Sequence, residues 1–512
     1  MQNRLREALA DGEFVVSCEL VAGRGAREEH QQREVEEALR IAATGRVQAI
    51  SITDNPGGNP ALLADALARE FADAGVTPLV HMTCKDRNRN QLQSQFYALA
   101  RQGIENLLVM TGDYPSSGWG GQARPVFDLD PVQLLQMITE MNAGLAQQTP
   151  RGSVTEQPTA FFAGAVASPF KWTEAETLLQ YLKLEKKLAA GAQFIISQVG
   201  YDARKMAELL EYLRQRRLDV PVIANVFVLG AGAGRLMHRG DFPGCYVSDE
   251  LLGVLEAEAA AEDKGREAKL LRAARMVAIA RGQGYQGVHL GGMGLTAEVI
   301  SQILAQADEL KDGWQDWASE LSYGQPGGFY LFAEDGSPAP RNEAARGRRI
   351  FSGYGLSRCF HYWVLTKGKR GYKPLSAVMD ARERARGRNR HHGLEHLAKV
   401  ALYGCRDCGD CGLETCVYSC PMSQCPKCQR NGPCGGSREG FCEVYPGERY
   451  CIWYKAYHRL KRYGQLEQLS AWITEPNDWG LEATSGWSNY THERDNAAKR
   501  LYLSKRADEP PG

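Results

Sequence analysis

Over the first part of the chain, short runs of β-branched and apolar residues alternate with longer stretches of helical periodicity. Eight runs read as strands: FVVSCEL (14–20), VQAISIT (47–53), PLVHMT (78–83), NLLVMT (106–111), AFFAGAV (160–166), QFIISQ (193–198), VPVIANVF (220–227) and YQGVHL (285–290). Helical patterns such as NPALLADALAREFADAG and TLLQYLKLEKKLAAGAQ lie between them. In the second, Leu178, Leu179, Leu182 and Leu188 share one face, while Lys183, Glu185 and Lys186 lie largely off it. Gly75, Gly103 and Gly191 mark helix ends, since glycine adopts the left-handed conformation that closes a helix. Eight strand–helix units up to residue 310 predict a parallel (β/α)8 TIM barrel, in preference to a doubly wound open sheet.

The rhythm is lost after residue 310. Residues 311–400 read as a connector, partly helical and basic, with the Gly/Pro-rich GGFYLFAEDGSPAPRN and the charged run ARERARGRNRHH (381–392). That run reads as a solvated face, the alternative being a docking surface for an acidic partner. Residues 401–470 form a cysteine-rich module, and 471–512 a polar, aromatic tail whose last residues, ADEPPG, are expected to fray. The glycine-rich VLGAGAGRLM (228–237) reads as a flexible loop rather than a phosphate cradle.

Composition narrows the setting. Lys plus Arg and Asp plus Glu are both 61, so the net charge is zero and no general pull toward nucleic acid or membrane is expected. The N-terminus lacks an apolar signal-peptide core, and no apolar run is long enough to span a bilayer. A cytoplasmic location follows as an expectation, and there fourteen cysteines are not disulfides. Ten of them lie between Cys405 and Cys451. Thiolates this dense need a cation to relieve their repulsion. Cys405, Cys408 and Cys411 form C-x2-C-x2-C, and Cys-Pro pairs follow at Cys420 and Cys425. This favours iron–sulfur over zinc, although Cys416 follows the triple after four residues where a ferredoxin has three.

Residues at the C-terminal ends of barrel strands face one mouth. Here they are Glu19, Thr53, Thr83, Gly112, Asp113, Gln198 and His289, with His81 inside the third strand. Two carboxylates, a glutamine and two histidines suit proton handling beside a polar ligand.

SCEL (17–20), SIT (51–53), HMTCKDRNRNQL (81–92), GIENLLVMTGDYP (103–115) and LEKKLAAGAQFIISQVGYD (184–202) resemble the methylenetetrahydrofolate reductases in order and spacing, over roughly residues 10–300. The resemblance implies a flavin, FAD rather than FMN, across the mouth and a tetrahydrofolate stacked on it. It implies interconversion of 5,10-methylene- and 5-methyltetrahydrofolate by hydride transfer. Glu19 matches the general acid that opens the folate ring, a role a partly desolvated carboxyl could fill by staying protonated. Asp113 matches the acid near flavin and pterin, Gln198 the reader of the pterin edge, and Thr53, His81 and Lys187 flavin-contacting positions, with Asp113 shared. The chain departs from the family at Thr111, where an arginine is common, at Ala189, and after Gln198 in VGY.

CGDC, SCP, CPK, NGPCGG, CEV and CIW resemble the C-terminal domain fused to or partnered with such reductases. That resemblance implies a ligand set of Cys408, Cys411, Cys420, Cys425, Cys434, Cys442 and Cys451. Cys405 makes eight, enough for two [4Fe-4S] clusters; Cys416 and Cys428 match less clearly. Clusters would admit electrons from a ferredoxin-like donor. Zinc would make the module a clamp and leave NAD(P)H as donor. Two other readings stay open: a flavin-free folate-dependent methyltransferase, and a non-catalytic electron-transfer subunit. A homo-oligomer is compatible with all of them.

Overall fold

The computed structural model describes residues 3–333, 336–339, 354–387 and 393–503. Residues 388–392 of the charged run and the ADEPPG terminus lie outside the described residues. All eight expected strands are present: β1 Val15–Leu20, β2 Ala49–Ile52, β3 Pro78–Thr83, β4 Asn106–Met110, β5 Phe162–Ala167, β6 Phe194–Ser197, β7 Val222–Phe227 and β8 Gly287–Gly291. Each pairs in parallel with the next, and β8 pairs with β1, so the sheet closes into a barrel.

Alternation along the strands builds two cores. Val15, Ala49, Leu79, Leu108, Phe162, Phe194 and Ile223 point inward and form an apolar floor. Leu5, Ala8 and Leu9 of the helix Arg4–Ala10 plug it from below. The intervening residues, such as Val16, Cys18, Ile50, Val80 and Leu107, point outward and pack under the helices. Two residues above the floor the inward positions turn polar, with Ser17, Ser51, His81 and His289 all buried. The same period of two therefore supplies the packing below and the chemistry above.

Gly75, Gly103 and Gly191 follow helices ending at Asp73, Arg101 and Ala189, with φ of 76°, 71° and 102°. Three expectations need correcting. In the helix Glu174–Ala189, Lys183, Lys186 and Lys187 are all buried, Lys183 beneath the cysteine module at Gln429 and Lys187 against Val166 of the barrel. The run 228–237 is largely helical, forming the start of Ala231–Arg239. Residues 471–503 are folded, with Trp472–Ile473 paired to Leu501–Tyr502 and a helix at Gly486–Thr491. Thr474 ties this segment inward by accepting from Gln133 Nε2 and Asn431 Nδ2. The connector is helical at Trp314–Glu320, Tyr354–Phe360, Tyr372–Arg386 and Gly393–Tyr403. Among the described residues no helix is long and apolar enough to cross a membrane.

Candidate functional site

The mouth is built around three side chains from β1, β3 and β8. Glu19, His81 and His289 each offer one polar atom within 4.8 Å of the others. Nε2 of His289 lies 3.9 Å from Oε2 of Glu19, and its Nδ1 is 2.8 Å from Oγ of Ser17. Ser51 Oγ flanks Nε2 at 3.5 Å. Ser17, Glu19 and His289 meet because β1 and β8 pair with Ser17 level with His289, so residues of one face stack side by side. The Glu19 side chain is 25% exposed and opens to the mouth. His81 is buried, and its Nε2 has no partner.

Burial pushes the Glu19 carboxyl up, but the neighbouring His289 and His81 imidazoles outweigh it and hold Glu19 below its usual range. Burial lowers His81 to about 4 even with Glu19 beside it. Near pH 7 Glu19 is a carboxylate facing His289, and His81 is neutral.

Asp113 sits at the end of β4 on a turn that only glycine permits. Gly112 has φ of 84°, and a Cβ there would stand 2.8 Å from Thr83 Cβ. The turn directs Asp113 Oδ2 to accept from Gly57 N at 2.8 Å. Gln198 uses Oε1 to accept from Val199 N at 2.8 Å, and a Cβ at Gly244 would lie 3.3 Å from its Nε2. The Cys245 thiol is pushed up to about 12, by burial first and then by the charges of Asp113 and Glu19, with Lys171 opposing. The loop through Gly244 and Cys245 thus crosses the mouth among Gln198, Asp113 and Glu19.

Two predicted residues turn to backbone partners. Thr53 is buried and its Oγ1 accepts from Ala22 N at 3.2 Å. Lys187 Nζ donates to Val166 O at 2.5 Å, and burial together with Lys183 lowers it to about 7. Sequence reasoning passed over Asp54, which accepts from Thr83 N and Oγ1 and pairs with Arg87. Its place directly after the β2 end was the available signal.

The module roofs the mouth on the side of β4 to β6. Lys427 Nζ donates to Gly112 O at 2.8 Å and pairs with Glu443. Lys171, just past β5, donates to Ser437 O at 2.9 Å and to Gly435 O. Lys183 reaches Gln429 Oε1, Pro433 O and Gly432 O at 2.8, 3.0 and 3.2 Å. Asp130 Oδ2 accepts from Arg430 N at 3.1 Å and Asn431 N at 2.9 Å. None of Asp130, Lys171 or Lys183 was singled out from sequence, because their partners lie in the module some 250–300 positions later.

The module's thiols fall into two quartets, all free of disulfides. Cys405, Cys408, Cys411 and Cys420 line one cavity with His396 and Lys399. Cys425, Cys434, Cys442 and Cys451 line another beside Lys427. Burial pushes the second set up, Cys434 to about 11 with Glu443 adding and Cys451 to about 12 with Cys434 adding. Cys416 and Cys428 line neither cavity.

Two family models match the chain. One described as methylenetetrahydrofolate reductase matches residues 4–308, and one described as methylene-tetrahydrofolate reductase C terminal matches 386–480. A probable methylenetetrahydrofolate reductase (NADH) of Oryza sativa subsp. japonica is 26% identical over 242 residues, covering 46% of this chain and 39% of the relative. Methylenetetrahydrofolate reductase (NADH) 1 of Arabidopsis thaliana is 25% identical over 210 residues, covering 40% and 34%. A probable methylenetetrahydrofolate reductase (NADPH) of Caenorhabditis elegans is 22% identical over 201 residues, covering 38% and 27%. The chain thus matches about two fifths or less of each of these relatives. With a closed barrel, a polar mouth and a family model spanning more than half its length, the chain belongs to the methylenetetrahydrofolate reductase family.

Proposed function

We propose that the protein reduces 5,10-methylenetetrahydrofolate to 5-methyltetrahydrofolate at the barrel mouth, using a flavin, with Glu19 as general acid and the two thiol quartets as [4Fe-4S] sites. The observation that carries this reading is Glu19 standing open to the mouth, backed by His289 and Ser17, with Asp113 and Gln198 on the same rim.

A flavin fits the residues present. His81 Nε2 and Ser168 Oγ, on β3 and just past β5, are buried polar atoms without partners, suited to the polar edge of a ring. When bound, the flavin supplies the hydride. The chain's own residues do the rest. Gln198 and Asp113 orient the pterin from the rim. A stacked ligand displaces water from Glu19, adding to the burial that raises its pKa, so the carboxylate takes a proton by way of His289. Glu19 then gives that proton to the folate nitrogen as the methylene bridge opens.

The quartets fit clusters better than zinc. Each gathers four thiols, and among the described residues no three thiols lie within 4.8 Å of one another. Four thiolates on one zinc, each at about 2.3 Å, would sit about 3.8 Å apart, whereas a cubane spreads its four ligands more widely. Such clusters carry single electrons, and the second quartet, roofing the mouth through Lys427, is the one beside Asp113.

The test is flavin reoxidation. Photoreduced protein mixed anaerobically with methylenetetrahydrofolate should regain its yellow absorbance. Glu19→Gln should keep its flavin and slow that recovery by about 10²–10⁴-fold. Recovery at the parent rate would remove Glu19 from its role.

A further inference from the structure

The helix Gly393–Tyr403 is turned inside out. Glu395 and Lys399 face inward, where Glu395 accepts from Ser485 Oγ and Trp487 N and pairs with Lys399. Leu394 and Leu397 face solvent at 82% and 65% exposure, and Val400 and Leu402 are exposed too. An amphipathic helix normally buries the opposite face. Ser357 and Tyr403 join it to the helix Tyr354–Phe360, whose Leu356 and Phe360 are also exposed. A contiguous apolar patch of this kind marks an interaction site.

Two features say what covers it. The inner side of this helix is the wall of the first thiol quartet, through Glu395, His396, Lys399 and Tyr403. Residues 354–387 alongside hold eight Lys or Arg against two Asp or Glu, in a chain of zero net charge. A second copy would bring the same cations to the contact, and residues 340–353 carry four Arg against one Glu, so neither is complementary.

We infer that this face is the landing site for a small acidic one-electron carrier protein, which delivers electrons to the Cys405/Cys408/Cys411/Cys420 quartet. The inference rests on reading the quartets as iron–sulfur sites. Two carriers are each oxidised by one electron. The two electrons, with two protons from water, convert the methylene bridge into a methyl group: the bond to N10 breaks, one C–H bond forms, and N10 keeps the other proton. The second quartet, at the mouth, is the later station.

The test is binding, read by titration calorimetry of oxidised acidic [2Fe-2S] ferredoxin into the anaerobically purified full chain. Leu394→Glu/Leu397→Glu should weaken binding by about tenfold or more, since it places carboxylates opposite an acidic partner. Lys373→Glu/Arg384→Glu, both exposed positions, should weaken it at low salt and flatten its salt dependence. Reduction of methylenetetrahydrofolate driven by reduced methyl viologen should be the same in all three proteins. No ferredoxin binding by the parent, or unchanged affinity in the leucine variant, would overturn the inference. So would a leucine variant whose main change, by light scattering, is a dimer becoming a monomer. Protein without iron would instead overturn the cluster reading beneath it.

Discussion

In the barrel each strand buries one face inward and one outward, and the paired neighbour repeats the pattern eight times. In the module between Cys405 and Cys451, regular structure amounts to one short helix, Pro421–Gln424, and the hairpin of Phe441–Cys442 with Tyr445–Tyr450. Five non-glycine residues there have positive φ: Asp407, Val417, Tyr418, Cys428 and Glu439. A β-branched residue such as Val417 resists that conformation. What fixes the barrel is local periodicity summed over a large core. What fixes the module is the lysine and aspartate clamps between it and the barrel and, on the proposed reading, a metal held by its thiols.

That contrast can be broken. The largest effect should come from removing the proposed metal. Chelation under denaturant-free conditions, or paired Cys420→Ser and Cys451→Ser changes, should unfold the module, because structural metal sites supply on the order of 10 kcal/mol of folding energy. Limited proteolysis should then cut within 405–451 and spare the barrel; simultaneous loss of both would mean the two are not separately held. Next comes Lys183→Met, which leaves Gln429, Gly432 and Pro433 without their buried donor. A loss of about 2–5 kcal/mol is expected, seen as faster amide exchange in 427–437 with the barrel strands unchanged.

The smallest effect sharpens the barrel's side of the comparison. His81 is held at about 4 by burial, against an ordinary value of 6.5. Its contribution to stability is complete above pH 6.5 and is lost as the pH falls toward 4, because only the unfolded chain takes up the proton in that window. The total is about 3 kcal/mol. His81→Asn should flatten this part of the acid limb in thermal melts, and an unchanged limb would show that His81 is not kept neutral in the mouth.

How much was legible follows from the same contrast. The strands, the closure and the positions of Glu19, Asp113, Gln198 and His289 follow from period-two patterning, because register carries a residue number directly to a rim position. The separation of eight cysteines from Cys416 and Cys428 was legible only through motif resemblance, since spacing alone allows many groupings. The setting of Lys183 was not legible. It is covered by Gln429, some 240 positions later, which no local pattern encodes. The lowered state of Glu19 was missed for a related reason: it depends on His289, brought alongside only by barrel closure.

On the proposed reading, mouth and module form one redox unit. An absorption spectrum with metal analysis, on protein purified without oxygen, tests it most directly. The expected result is one flavin and about eight irons per chain, two clusters of four, with bleaching of both chromophores by dithionite. A colourless protein holding stoichiometric zinc and no iron would contradict it.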